Sequence, residues 1–307
     1  MKSARIQATG WVFAGIIALL YSATASSQNT EGNNAVCTSQ TGCSTTLGTT
    51  AFIDASQFVN ANQGSDICDA IFGIFVNKWN VATYPSSGAV VDARGIGGSA
   101  LKCTKGSPWT EGSTTVAAPA NILLPAGTIL IPTPWVLPAS THLFGQGDNP
   151  SSGTVIQACT SKTCANPFSG TAMIQFGASQ CAATGCAAES VEKLVLDGQG
   201  QQIGGIVNQY SQSNSYVDHV SLYRILGTGL LIEATGSGPY SNINFDTGNT
   251  TATTSTVCAQ ILGTTGTAGI RGLTCTSELG RVAETMGFVS FSRVPSPSSA
   301  WAGIFHA

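Results

Sequence analysis

Residues 216–234 read YVDHVSLYRILGTGLLIEA, and the spacing of their apolar side chains decides the fold. Val217, Val220 and Leu222 fill three slots, and a second burst, Gly229-Leu-Leu-Ile, follows. Val191, Leu194 and Leu196 hold the same three slots one period earlier, and Tyr240, Ile243 and Phe245 hold them one period later. A fourth copy, Ile270, Leu273 and Cys275, comes after that. The second burst has its own copy, because Gly205-Ile-Val precedes Gly229-Leu-Leu by a similar interval. A period of roughly 25 residues, filled by strand-sized bursts, is the mark of stacked supersecondary units. The predicted fold is all-β: a single-stranded parallel β-helix, or solenoid, in which each turn of chain adds short strands around a common apolar interior. An antiparallel sandwich or barrel would account for the turn signals but not for one pattern returning after intervening bursts.

Composition agrees. Only 9% of residues are charged, against about 25% in ordinary globular domains. Disorder is excluded by a 42% apolar content, since disordered chains are apolar-poor and highly charged. The N-terminus reads as an export signal: Lys2 and Arg5, an apolar core over 11–21, and Ala23-Thr24-Ala25 as a small-residue cleavage site. That core falls short of the ~20 apolar residues of a membrane span. Removing 1–25 leaves 10 basic against 15 acidic residues. Such a balance argues against nucleic acid and against anionic membrane surfaces as partners. The expected product is secreted, extracellular or periplasmic, and monomeric. The expected layout is a signal peptide (1–25), a polar lead (26–50), a β-helix domain (51–281) and an atypical tail (282–307).

All ten cysteines lie beyond the signal, and an even count in an exported chain predicts disulfides. The expected pairs are Cys37 with Cys43, Cys159 with Cys164, Cys181 with Cys186, Cys68 with Cys103 and Cys258 with Cys275. Zinc is the rival reading of the two Cys-x4-Cys pairs, but no His lies near either and the usual spacing is closer. Over 65–77, Ile67, Ala70, Ile71, Ile74 and Phe75 recur at helical spacing, with Ser65 and Asp66 as capping residues. The bursts GAVVDARG (88–95), ANILLPAGTILI (120–131), STHLFGQGDN (140–149) and GTVIQA (153–158) are strand-sized and separated by turn residues.

GAVVDARGIGG, ILLPAGTILI and THLFGQGDN followed by TVIQA resemble the opening of the pectate-lyase-like right-handed β-helix superfamily, in its rhamnogalacturonase- and epimerase-like, polygalacturonase-related branch. The resemblance spans about residues 52–280. It implies a right-handed solenoid closed at its N-terminal end by a helix, a role the 65–77 segment fits. It also implies processing of acidic, pectin-like polysaccharides, by Ca2+-assisted elimination or by hydrolysis between paired carboxylates. The Asn-Thr-Asp, Asp-Asp, Gly-His-Gly and Arg-Ile-Lys motifs of the hydrolases are missing; Asp218-His219 and Arg224-Ile225 are the nearest fragments. The alternative function is a non-catalytic carbohydrate-binding or cell-surface solenoid.

Strand alternation turns Leu194, Leu196 and their counterparts inward. The outward columns are then Lys193, His219, Asn242; Val195, Ser221, Asn244; and Asp197, Tyr223, Asp246. With layers ~4.8 Å apart, Asp197 and Asp246 would stand near the upper end of the roughly 6.5–9.5 Å used by inverting glycosidases. The candidate catalytic residues are therefore Asp197, Asp246 and His219, with Arg224, Lys193 and Tyr223 as substrate binders. The other reading of these residues is a solvated solenoid face. Glu192 and Asp218 share a slot and would stack as like charges, which requires divergent side chains or an intervening Ca2+; calcium takes about 6 to 8 oxygen ligands, so two carboxylates are a small share.

Other marks are secondary. GQGDN at 145–149 is a turn and not a phosphate loop, because no Lys-Ser/Thr follows it. Asn249-Thr-Thr matches the N-glycosylation pattern. Trp109 and Trp135, beside prolines, are either sugar platforms or loop anchors. Beyond Arg281 the slot pattern stops, and no charged helix or polar strand is evident to close the end, as in a shortened or frame-altered version of a longer β-helix.

Overall fold

The computed structural model describes residues 36–37, 51–59, 65–78, 84–85, 88–177, 181, 186–211, 213–233, 236–248, 256–261, 269–276 and 284–290. All fall in the unit Asn33–Ala307. The expected signal peptide, Cys43 of the first expected disulfide and Asn249 lie outside the described residues.

The chain is mostly β and its long ladders are parallel. One sheet of 12 strands runs Val36–Cys37, Ala51–Asp54, Ala89–Asp92, Ala120–Leu123, His142–Phe144, Ser190–Gln201, Tyr216–Ile225, Tyr240–Asp246, Gly269–Thr276 and Glu284–Ser290, with Thr154–Ala158 and Gly127–Ile131 joined to it through Ser190–Gln201. A second, five-stranded sheet orders Val257–Ile261, Thr228–Ile232, Gly204–Asn208, Ala172–Phe176 and Trp135–Leu137, and in this sheet every pairing is parallel. This arrangement is compatible with a β-solenoid.

The four sequence repeats lie side by side in the register that their slots define. Val191, Val217, Tyr240 and Ile270 form one column, Leu194, Val220, Ile243 and Leu273 a second, and Leu196, Leu222, Phe245 and Cys275 a third. All twelve are buried, and they belong to one continuous apolar cluster. A strict pleat cannot turn both Val191 and Leu194 inward, because their separation in the chain is an odd number of positions. The strands resolve this with a bend. Lys193, His219 and Asn242 drop out of the ladder with φ of 54°, 52° and 53°, and Gly272 follows at 61°. One left-handed residue reverses the alternation, so slots on both sides face inward. Left-handed backbone costs a residue with a Cβ roughly 1–2 kcal/mol and suits Gly and Asn best; Asn242 and Gly272 meet that preference, whereas Lys193 and His219 do not.

The GQGDN turn is built onto this bend. Gly145 N–H donates to the Glu192 carbonyl and Gly147 N–H to the Lys193 carbonyl, each at 2.9 Å. A Cβ on Gly145 would stand 2.2 Å from the Lys193 carbonyl oxygen, which is why glycine occupies that position.

The helix spans Ile67–Phe75, shorter than the 65–77 expected, because Asp66 is its N-cap and accepts from Asp69 N–H at 2.9 Å. All of its residues are buried. Its one carboxylate, Asp69, is neutralised by Lys105 at 3.2 Å, and Lys105 and Lys78 both reach Glu111 at 3.3 Å. Trp109 stacks on Phe75 and meets Trp135 edge-on, with both indoles buried. They are packing anchors and not sugar platforms.

Four disulfides join Cys68 to Cys103, Cys159 to Cys164, Cys181 to Cys186 and Cys258 to Cys275, as expected from the sequence. Disulfides of this number fit an oxidising compartment. No helix among the described residues is long and apolar enough to cross a membrane. The end of the long sheet differs from the expectation: Glu284–Ser290 lies antiparallel to Gly269–Thr276. An antiparallel strand need not repeat the three-slot spacing, so its role was invisible in that pattern.

Candidate functional site

Lys193, His219 and Asn242, expected as one outward column, sit on the bend outside the ladder, whereas the two columns beyond it have the expected register. Asp197 pairs with Tyr223 and Tyr223 with Asp246 on successive strands. Their environments differ sharply. Asp197 is 3% exposed. The Arg224 guanidinium grips it in a fork, Nε at 2.9 Å from Oδ1 and a terminal nitrogen on Oδ2. Gln157 Nε2 donates to Oδ2 at 2.8 Å, and Gln199 donates through its backbone N–H at 3.0 Å and its Nε2 at 2.5 Å. Arg224 and Gln199 both sit in left-handed backbone, at φ 51° and 56°, which aims them at Asp197. The hydrogen bonds from Arg224 to Asp197 hold the guanidinium pKa above its ordinary value, against the opposing effect of burial.

The guanidinium also lies 4.9 Å from the Tyr223 ring centroid, a cation–π contact. Tyr223 is further hemmed in by Gly248, where a Cβ would come within 3.1 Å of the ring. Asp246 is half-buried and accepts from Gly248 N–H at 2.8 Å, the geometry of an Asx turn. Lys193 is exposed on its bend. In the middle column Val195 and Ser221 are buried and Asn244 is exposed.

His219 is exposed, and its Nδ1 lies 2.8 Å from Asp218 Oδ2. Asp218 Oδ1 accepts from Ser241 Oγ at 2.6 Å and Asn242 Nδ2 at 2.9 Å. Burial pushes the Asp218 carboxyl up, but the donors Ser241, His219 and Asn242 prevail and hold it below the usual range. One strand away, Glu192 accepts from Tyr216 OH at 2.6 Å and Ser190 Oγ at 3.0 Å. Ser190 Oγ also meets His142 Nδ1 at 2.8 Å. Burial holds the His142 imidazole below its ordinary value, partly offset by Glu192, and burial with Glu192 raises the Tyr216 hydroxyl. Glu192 and Asp218 are thus register neighbours with separate sets of donors. Among the described residues no group of three or more His, Cys, Asp or Glu is placed to hold a metal ion.

A groove of about 220 Å³ opens instead on the outer face of the five-stranded sheet. Ala172, Val207 and Leu231 contribute apolar surface, and Thr171, Gln202 and Thr228 contribute polar groups around it. Gln175, Val207 and Leu231 form one column across three strands. The amides are oriented: Gln175 Nε2 donates to the Gly177 carbonyl at 3.0 Å, Gln209 Nε2 to Glu233 Oε2 at 2.9 Å, and Gln202 Nε2 to the Leu226 carbonyl. Among the described residues no acid, base or histidine lines the groove. The repeated Gly205-Ile-Val and Gly229-Leu-Leu bursts mark two of its strands in the sequence, whereas the glutamines, being neutral, carry no signal for chemistry.

Comparison of the chain with protein-family models, with curated proteins and with solved structures finds no match.

Proposed function

We propose that the chain is an exported, monomeric, right-handed parallel β-solenoid of the pectate-lyase-like kind, and that it holds a neutral carbohydrate chain in the glutamine-lined groove without cutting it. The observation carrying this reading is a polar groove with no ionisable side chain among the described residues that line it. Sugars present hydroxyls that both donate and accept, together with faces of C–H bonds. Anchored amides beside the Val207 and Leu231 surface complement both features. An acidic glycan would find no cation in this lining, and the charge bonded to Gln209, Glu233, has the same sign as the ligand. Of the carboxylates that suggested hydrolysis, Asp197 already spends its oxygens on Arg224, Gln157 and Gln199.

Calorimetric titration with neutral xylo- and cello-oligosaccharides, and with polygalacturonate with and without Ca2+, tests this. Neutral oligosaccharides are expected to bind, and Gln175→Ala and Gln209→Ala are each expected to weaken binding about tenfold, the equivalent of one lost hydrogen bond. Unchanged affinity in both variants moves the ligand off this groove, and no binding by any glycan ends the carbohydrate reading. New reducing or unsaturated ends would transfer the assignment to a polysaccharide-processing enzyme, with Asp197, Asp246 and His219 as acid–base groups and Arg224, Lys193 and Tyr223 as binders.

A further inference from the structure

A polar cluster is sealed inside the molecule, away from the groove lining. Thr141, Glu189 and Ser215 immediately precede the aligned residues His142, Ser190 and Tyr216 on three successive strands. All three are fully buried. Ser190 N–H donates to the Thr141 carbonyl and Tyr216 N–H to the Glu189 carbonyl, both at 3.0 Å. Ser211, also buried, joins them, and Asn208 ties Ser211 to the Tyr240 hydroxyl.

The protons in this cluster can be counted. Glu189 Oε2, Ser211 Oγ and Ser215 Oγ make three mutual contacts, of which Ser215 to Glu189 measures 2.9 Å. Three hydrogen bonds among three oxygens require three protons, and two hydroxyls supply only two. Glu189 N–H also donates to Ser215 Oγ, at 3.3 Å, so that oxygen already serves as an acceptor. The ring closes if the carboxyl carries a proton: Glu189 donates to Ser211, Ser211 to Ser215, and Ser215 back to Glu189. With the carboxylate ionised, one contact becomes two oxygens facing each other with no proton between them. Among the described residues Glu189 Oε1 and Thr141 Oγ1 find no partner, which adds to the cost of placing charge here.

We propose that Glu189 is a proton-operated latch: neutral, it closes a hydrogen-bonded ring that ties the starts of two neighbouring strands to the Ser211 segment, and ionised, it releases them. Among the described residues the surroundings offer the anion no counter-charge. Tyr240 reaches the ring through Asn208, Tyr210 adjoins Ser211, and His142 and Tyr216 have their polar atoms engaged by Ser190 and Glu192. The two strands that start here also carry the carboxyls Glu192, Asp197 and Asp218 and the Tyr223 hydroxyl, and their basic groups are engaged or exposed: Arg224 is paired with Asp197, His219 meets Asp218, and Lys193 is exposed on its bend. From 178 to 188 the ionisable types are confined to Cys181 and Cys186, which form a disulfide. Burial pushes the Glu189 carboxyl up to about 7, with the Ser215 hydrogen bond pulling the other way. The direction of the pH effect follows. Between the unfolded value of 4.5 and about 7 the folded chain binds the extra proton. Stability is therefore highest below this window, falls as pH rises through it, and is flat above.

The test uses the full chain with 13C-labelled glutamate. One carboxyl resonance, assigned to Glu189 by its loss in Glu189→Gln, is expected to titrate near 7. Exchange protection of the Ser190 and Tyr216 amides, corrected for the intrinsic rate, is expected to fall at least about tenfold between about pH 5 and about pH 8. In Glu189→Gln, which stays neutral and still donates, that fall should vanish. Titration of the Glu189 resonance in the ordinary carboxylate range overturns the proposal from the parent protein alone. Protection that does not change while the resonance titrates overturns it equally.

Discussion

An Arg224→Met protein is expected to unfold about 3 kcal/mol more easily than the parent, the low end of the roughly 3–5 kcal/mol that follows when one partner of a buried ion pair is removed. The loss arises from Asp197, whose side chain is 5% exposed and would be left without its guanidinium partner. The low end applies because donors from Gln157 and Gln199 remain on that carboxylate. Arg224→Lys keeps the cation but loses the two-pronged grip and the planar contact with Tyr223, so it should fall between the two. The double variant Arg224→Met/Asp197→Leu removes the orphaned charge and should return to within about 1–2 kcal/mol of the parent. Urea unfolding of the four proteins measures all of this. If Arg224→Met costs less than about 0.5 kcal/mol, the pair does not hold the sheet together. Asp197 would then regain its standing as a catalytic candidate.

The second large effect is expected from Cys258→Ala/Cys275→Ala. Cys258 lies in Val257–Ile261 of the five-stranded sheet and Cys275 in Gly269–Thr276 of the long sheet, so their bond joins the two sheets. It closes a span of 17 residues, for which loop-closure entropy gives about 3 kcal/mol. Removing Cys159 and Cys164, which span only 5 residues, should cost about 2 kcal/mol. The two losses also differ in kind. Both sulfurs of the first pair are buried among core residues. Their removal should therefore let Val257–Ile261 and Gly269–Thr276 exchange amide protons well before the rest of the sheets. Equal stability of the two double variants, or uniform exchange in the first, would contradict this.

Much of the scaffold was legible because its determinants are apolar and periodic. Val217, Val220 and Leu222 announced not only a strand but the residues beside them, and the register is the one their spacing required. The helix and four cysteine pairs were legible for similar reasons of spacing and parity. Simple alternation still missed the left-handed residues, because it assumes one unbroken pleat across Lys193 and His219. The candidate site was less legible. Alternation placed Asp197, Tyr223 and Asp246 in one column, but the Arg224 grip depends on a backbone reversal at Arg224 itself. Glu189 escaped notice because a lone carboxylate before a strand resembles a surface residue. Gln175 and Gln209 escaped because amides titrate nowhere and match no reaction.

The creases at Lys193, His219, Asn242 and Gly272 also fix where this molecule can change length. From the first to the last apolar slot every repeat has the same length, while the steps from Val191 to Val217, from Val217 to Tyr240 and from Tyr240 to Ile270 are all unequal. An inserted or deleted residue beside a crease would turn one layer's greasy side chains to water and its polar ones inward. The same event in the connecting loops leaves every layer intact. Evolutionary tinkering with size and decoration is thus channelled to the loops, leaving the creased segments as fixed-length units.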